Sequence, residues 1–438
     1  MQVSVERKEG IHCVLNIELP AGEIEQEVSK RIQRIARTAK IDGFRPGKVP
    51  TGMIKKKYGE QVRFEVLGDL LPIKYSKALK DEKLEAAGVE IEILQNEEGK
   101  ALKFNVNIEL FPEVIIKDLD KIEVKKPVVE LSEVQTDKMI ENLRKQLAVW
   151  NEVDREVKKD DRVIIDFVGR VDGQVFEGGS VNAYEIVIGS GQMIPGFEDG
   201  IIGMKKDEDK TIHVTFPEDY QNDELKSKAA QFNVVVKSIK EAVLPEINDK
   251  FVEQFGIKGG VEEFYAEIKQ NMARELKNAI HKTIKQQVFE QLVKLIEFEV
   301  PKALIQREID RAKQDLIKRI DGKKAQVKAE NLSDDLFRDR AEHTVKLGLI
   351  FQAIVHEQRF EADQASIDEL IEEMASIYED AQEVRDHVKN NKQEFDNIKN
   401  VVIENKLVDW VVEQGKSIEK EEDFFDLIRN ALPQGLTF

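Results

Sequence analysis

The sequence predicts a multidomain α+β protein. It has an N-terminal α+β domain with a projecting helix–loop–helix arm, a small antiparallel sheet with one short helix, and an extended all-α C-terminal body. Three observations carry this. Apolar residues alternate with period two at both ends of residues 1–112, with helical spacing between them. Glycine and short strand signals cluster in residues 151–243. From Pro245 onward the spacing of apolar residues is helical almost throughout.

Taken in order, Val3 and Val5, then Ile11, Cys13, Leu15, Ile17 and Leu19, form two strands broken at Gly10. A helix follows with Ile24, Val28, Ile32 and Ile35 on one face and Arg31, Arg34 and Arg37 off it. After a turn at 43–50, a second helical stretch runs from about Tyr58 to Ala87, then strands at Val89–Gln95 and Leu102–Leu110. Residues 113–150 are a connector. Ser132 and Gln135 make a capping box that opens a helix carrying Met139, Ile140, Leu143 and Leu147. That apolar face needs a partner outside the first domain. In 151–243, strands are expected at Val163–Phe167, Glu185–Ile188, Lys210–Phe216 and Phe232–Ile239, with a helical piece at Met193–Ile202.

Residues 244–438 read as helices alone. Val261, Phe264, Ile268, Met272, Leu276, Ile280, Ile284, Val288 and Leu292 recur almost every fourth residue. At 3.6 residues per turn such a ladder drifts by about 40° per step. Its apolar surface spirals, so different neighbours must cover different parts of the helix. A second helix begins at Pro301 and ends at Asp321-Gly322. Further helices are expected at Ser333–Gln358, Asp363–Tyr378, Ala381–Asn390, Phe395–Gly415 and Glu421–Leu432.

Composition narrows the function. A lone Cys13 excludes a disulfide framework and any Cys-x-x-Cys site, and reads as a strand core residue. No apolar run is long enough to span a membrane. The N-terminus lacks the apolar core of a signal peptide, so a cytoplasmic protein is expected. The six histidines are scattered without metal-ligand spacing. Gly43-x3-Gly47-Lys48 is one residue short of a phosphate-binding loop. Gly189-Ser-Gly191 with Gly196 is mis-spaced for a dinucleotide fingerprint. No metal and no cofactor is therefore expected.

The charge distribution is uneven. The chain carries a net −18, yet Lys30–Arg63 holds eleven cations and two acids, a net of +9. At its centre lies Gly43-Phe44-Arg45-Pro46-Gly47-Lys48-Val49-Pro50. Two prolines and two glycines make this a rigid turn. It presents Phe44, Arg45 and Lys48 at the tip of the arm. A concentrated basic tip on an acidic molecule suits an anionic partner.

The most specific signal lies in the middle domain. Val163-Ile-Ile-Asp-Phe-Val-Gly169 is followed by Asp172-Gly-Gln-Val-Phe176-Glu177. Then come Tyr184-Glu-Ile-Val-Ile188-Gly-Ser-Gly191-Gln-Met193-Ile194-Pro-Gly196-Phe197, Phe216-Pro-Glu-Asp-Tyr220 and Phe232. This series resembles the FK506-binding class of peptidyl-prolyl isomerases. The resemblance implies a proline pocket walled by Phe167, Phe176, Met193, Ile194, Phe197, Tyr220 and Phe232. Phe197 would be its floor, Tyr220 would hold the substrate carbonyl, and Glu177 would occupy the acidic position at the rim. Phe197 stands where that class usually has tryptophan, and Glu177 where Asp is common. The loop after Tyr220 is short, which implies a shallower, more open pocket.

With that domain placed second, the whole chain resembles the trigger factor family of ribosome-associated bacterial chaperones. Gly43, Phe44, Arg45, Gly47 and Pro50 fit its Gly-Phe-Arg-x-Gly-x-x-Pro signature, with Pro46 and Lys48 at variable positions. The resemblance implies docking on large-subunit protein and rRNA at the exit tunnel, and ATP-independent holding of nascent and unfolded polypeptides. It also implies proline isomerisation, a homodimer off the ribosome, and no membrane partner. It divides the chain into a ribosome-binding domain (1–112), a connector whose helix packs on the helical body (113–150), an isomerase domain (151–243) and a chaperone body (244–438). Two other readings stay open. One is a stand-alone folding isomerase with a helical dimerisation scaffold. The other is a protein that uses the basic arm on free RNA.

Overall fold

The computed structural model describes residues 1–438 apart from 8–9, 40–43, 45–48, 221, 322–331, 377, 379 and 432–438, and apart from the side chains of 177 and 319–321. The chain divides into two units. One joins Met1–Lys126 with Lys282–Lys420, and the other joins Pro127–His281 with Glu421–Phe438.

Strands β1 (Gln2–Arg7) and β2 (His12–Leu19) pair antiparallel. Helices α1 (Ala21–Ala36) and α2 (Thr51–Asp81) follow, then β3 (Ala86–Gln95) and β4 (Leu102–Leu110). The sheet order is β1-β2-β4-β3. Alternation puts Cys13, Leu15, Ile17 and Leu19 on the face that Phe104, Val106 and Ile108 share, and α1 and α2 cover it with Ile24, Val28, Ile54 and Val66. Each helix starts directly after a proline, Pro20 or Pro50, in extended conformation. The residue before a proline is pushed out of the helical region, so the helix begins there. Helix α2 starts seven residues before the expected Tyr58 because Ile54 is fully buried and anchors the first turn. It ends before the expected Ala87. Lys83 turns left-handed at φ 54° and Ala86 enters β3. Pro72 sits inside α2 and leaves the Gly68 carbonyl without its intrahelical donor.

A single turn at Leu119–Lys121 leads into β5 (Glu123–Val128), which sequence periodicity missed. Helix α3 (Glu133–Gln146) opens with the Ser132–Gln135 capping box. Strands β6 (Val149–Glu152), β7 (Arg162–Val171) and β8 (Gln174–Val187) precede α4 (Phe197–Ile201). Strands β9 (Asp209–Thr215) and β10 (Ala229–Val243) complete an antiparallel sheet of order β6-β10-β7-β8, with β9 following β6 along the edge of β10 away from β7. Helix α4 is shorter than the expected Met193–Ile202, because Gly196 is left-handed at φ 87° and blocks a helix through it.

Helices α5 (Asp249–Glu253) and α6 (Gly260–Leu295) come next. Three cores cover α6 in succession. Phe264 packs with Ile140, Phe251 and Val252. Met272 and Leu276 pack with Phe424 and Leu427. Val288, Leu292 and Ile296 pack with Ile122, Val124, Ile350 and Leu407. The apolar face of α3 thus finds its partners. Ile140 is buried in the first of these cores and Met139 packs on the second, whereas Leu147 is exposed.

The chain continues through α7 (Lys302–Asp321), α8 (Asp335–Gln358), α9 (Gln364–Ala375), α10 (Ala381–Asn390) and α11 (Lys392–Gln414). Then come β11 (Lys416–Glu421) and α12 (Phe424–Ala431). The reading of this region as helices alone missed β11, which pairs with β5. The first turn of α7 sits against the N-terminal sheet. Glu109 accepts the Ala303 N–H at 2.9 Å, and a methyl added at Gly88 would lie 2.3 Å from the Ala303 methyl.

Two glutamines one turn apart on α6 clasp β5. Gln287 accepts the Lys125 N–H at 2.9 Å and donates to its carbonyl at 2.9 Å. Gln291 does the same for Glu123, at 2.9 and 2.7 Å. Each side-chain amide thereby stands in for a neighbouring strand. Helix residues four apart stack along one face, and strand residues two apart share one edge, so the spacings match. Replacing both glutamines with alanine is expected to speed hydrogen exchange at the Glu123 and Lys125 amides by about tenfold. A loss of about 1–2 kcal/mol in local opening free energy corresponds to this. Mass-resolved exchange is the measurement, and unchanged exchange would show that the clasp contributes nothing.

Candidate functional sites

Seven aromatic rings gather on the inner side of the β7–β10 sheet. Phe167 comes from β7, Phe176 and Tyr184 from β8, Phe197 from the start of α4, Phe216 and Tyr220 from the turn after β9, and Phe232 from β10. Phe167, Phe197 and Phe232 form the centre, with centroids 5.1–5.9 Å apart and edge-to-face geometry. Such packing places the positive edge of one ring on the negative face of the next. Phe197 is fully buried. Phe176 lies 5.7 Å from Phe216 and 6.1 Å from Phe232, and Tyr220 lies 4.7 Å from Phe216. Phe176, Tyr184, Met193, Ile194 and Tyr220 are only partly buried and rim the three central rings. The side chain of Glu177 lies outside the described residues.

The expected pocket residues other than Glu177 are thus brought together. Two more rings belong with them. Tyr184 meets Phe167 at 5.9 Å, and Phe216 bridges Phe176, Tyr220 and Phe232. Spacing could have found Tyr184, because it is two and four residues before the inward-facing Ile186 and Ile188.

Gly169 makes room for the cluster. It pairs with Phe232 in the β7–β10 register. A Cβ there would meet Phe232 Cε1 at 2.6 Å and Phe176 Cε1 at 2.8 Å. On the outer face Asp166 accepts the Ala183 N–H at 2.7 Å and pairs with Lys237 at 3.3 Å. Ala183 is left-handed at φ 53°, close to the shift in β7–β8 register, and the bond fixes the backbone just before Tyr184. Chiefly that backbone bond, aided by Lys237 and opposed by desolvation, holds the Asp166 carboxyl below the usual range. Its stabilising effect is complete above the unfolded value of about 3.9 and is lost as pH falls through the lower folded value.

At the arm tip, Phe44 and Pro50 are the members of the expected signature that lie among the described residues. Phe44 is 38% exposed. Val49 is buried against the α1–α2 core and pins the end of the turn. The basic run is partly neutralised. Arg63 pairs with Glu25 at 2.7 Å, Arg31 with Asp69 at 3.3 Å and Lys30 with Glu27 at 2.6 Å. Lys55 pairs with Glu98, and that hydrogen bond raises its pKa. Arg34, Arg37, Lys56 and Lys57 make no ion pair with a described residue, so these four remain available to an outside anion. Among the described residues, no group of His, Cys, Asp and Glu could hold a metal, and no helix is long and apolar enough to cross a membrane.

Gly169→Ala is expected to displace the Phe176 or Phe232 ring and to lower prolyl-peptide isomerisation at least tenfold. The overpacking should destabilise the sheet by about 1–3 kcal/mol. Peptide isomerisation kinetics alongside a melting curve provide the check.

The geometry can now be set beside known proteins. Residues 1–143 match the family model "Bacterial trigger factor protein (TF)", residues 153–237 match "FKBP-type peptidyl-prolyl cis-trans isomerase", and residues 260–413 match "Bacterial trigger factor protein (TF) C-terminus". A trigger factor of Francisella philomiragia is 56% identical over 98% of both chains. One of Marinobacter nauticus is 42% identical over 99% of this chain and 100% of its own. The structure described as "Promiscuous Substrate Recognition in Folding and Assembly Activities of the Trigger Factor Chaperone" aligns with 94% of this chain and 99% of its own, at 20% identity and a TM-score of 0.46. Trigger factor matches on both sides of the isomerase match set aside the stand-alone isomerase. Matched almost end to end by these relatives and carrying an FKBP-type isomerase domain, the chain belongs to the trigger factor family.

Proposed function

We propose that this protein is an ATP-independent cytoplasmic chaperone. It docks by its arm tip beside the ribosomal exit tunnel, holds newly made chains in an open, folding- and export-competent state, and isomerises X–Pro bonds. The near-complete match to trigger factors carries this reading. Phe44, partly exposed, supplies an apolar anchor to bury in a protein pocket. Arg45, Lys48 and the unpaired Arg34, Arg37, Lys56 and Lys57 meet phosphates and carboxylates. Gly43, Pro46, Gly47 and Pro50 belong to the same docking signature. Residues 1–112 form the docking domain, 113–150 the connector, 151–243 the isomerase and 244–438 the client-holding body. Off the ribosome the protein pairs as a homodimer.

The isomerase chemistry needs no nucleophile, proton or metal. Rotation about an X–Pro amide crosses a barrier of about 18–20 kcal/mol because resonance is lost. The twisted amide is less polar than the planar one. A water-poor aromatic site that holds it more tightly than the planar form lowers the barrier. Phe197 lies under the proline ring, with Phe167 and Phe232 packed on it. Phe176, Met193 and Ile194 grip its sides. Tyr220 donates its hydroxyl to the substrate carbonyl, and Glu177 stands at the rim.

Phe44→Ala combined with Arg45→Ala is expected to weaken co-sedimentation with ribosomes at least tenfold; intact association overturns the docking assignment. Tight, steeply salt-dependent binding to naked rRNA would instead favour the free-RNA reading. Phe197→Ala should abolish most isomerisation of a prolyl peptide while removing about 3–5 kcal/mol of packing. Tyr220→Phe should keep the fold and slow turnover several-fold. Full activity in Phe197→Ala would sink the pocket assignment.

A further inference from the structure

One charged side chain in the isomerase domain is buried with no ion-pair partner among the described residues. Glu198, the second residue of α4, is 7% exposed. Its carboxylate faces the turn that leads from β8 to α4. Oε2 accepts the N–H of Gly189 at 2.7 Å and of Gly191 at 3.2 Å. Oε1 accepts the N–H of Met193 at 3.2 Å and the hydroxyl of Ser190 at 3.3 Å. Gly189 and Gly191 are left-handed, at φ 92° and 71°. That conformation lets successive backbone N–H groups converge on one anion. Burying a carboxylate without a counter-ion is unfavourable unless hydrogen bonds replace its hydration.

The position of this anion matters for chemistry. Glu198 directly follows Phe197. The loop it holds carries Met193 and Ile194, which pack on the ring cluster from the open side. One side chain thus ties Phe197 to the loop that carries Met193 and Ile194. We propose that Glu198 is a positioning residue for proline isomerisation. Its carboxylate, accepting four hydrogen bonds from the turn, sets the Gly189–Ile194 loop so that Met193 and Ile194 pack against the twisted amide. The proposal rests on the isomerase reading of this domain. A neutral amide cannot substitute, because it offers one acceptor oxygen and points an NH2 donor at N–H donors.

The test uses the full chain. Wild-type isomerisation of a proline-containing tetrapeptide is measured first; its absence would defeat the isomerase reading and not this one. In an active background Glu198→Gln should lower kcat/KM about tenfold, while the Kd for the planar peptide changes less than threefold. Amide signals of Gly189, Gly191 and Met193 should move, while those of Ile165 and Val234 stay in place. That pattern separates loop positioning from loss of folded protein. Gly191→Ala gives a second route that leaves the carboxylate intact. The new methyl meets nothing within 4 Å, so only backbone strain at φ 71° disturbs the loop. It should lower kcat/KM about three- to fivefold with the same amide shifts. Wild-type turnover in Glu198→Gln, or in Gly191→Ala with the loop signals displaced, would overturn the proposal.

Discussion

The constraint on which most of this structure depends is the burial of α6. Thirty-six residues of continuous helix carry an apolar surface that no single neighbour can cover. A repeat of four on a helix of 3.6 residues per turn rotates that surface steadily. Each stretch therefore takes partners from a different part of the chain: α3 and α5, then α12, then the connector with α8 and α11. All lie far from it in sequence except α5. The clasp of β5 by Gln287 and Gln291 follows the same logic with polar groups. A connector strand has backbone donors and acceptors that must be met, and a helix can meet them only through side chains spaced four apart.

The isomerase domain turns a core into a site. Phe167, Phe197 and Phe232 are all buried, and their mutual edge-to-face packing would serve stability alone. In the proposed pocket, the partly exposed rim is what opens this cluster to a substrate. It is held by features that contribute little to the core: a glycine that admits two rings, an outer-face carboxylate that fixes the backbone before Tyr184, and a buried carboxylate that fixes the loop before Phe197. Rotating an amide demands shape and dryness more than reactive groups, which is why phenylalanines suffice.

The basic arm separates attachment from presentation. Cations such as Arg31 and Arg63 are paired with acids on the neighbouring helix, where they hold α1 against α2. Pairing lowers the usable charge below the count along the sequence. In the proposed docking, the remaining cations would supply long-range attraction and Phe44 one apolar anchor.

Much of this was legible in sequence. Period-two alternation at Leu102–Leu110 and the Ser132–Gln135 cap each express a local rule, so their residues carry the signal themselves, whereas the aromatic set from Phe167 to Phe232 was implied by the family resemblance. The spiral on α6 even required several neighbours, though it could not name them. Other features had no local signal. Strands β5 and β11 lack a clean apolar alternation, Thr51 became helical because Ile54 found a core, and Gly88 is small because Ala303 presses on it. Glu198 looked like one more acid in an acidic chain. Sequence by itself determined the helices and strands whose apolar residues keep a clean period, because backbone periodicity is local. Only the tertiary structure decided which surfaces meet and which charges are buried or paired, because burial depends on residues hundreds of positions away.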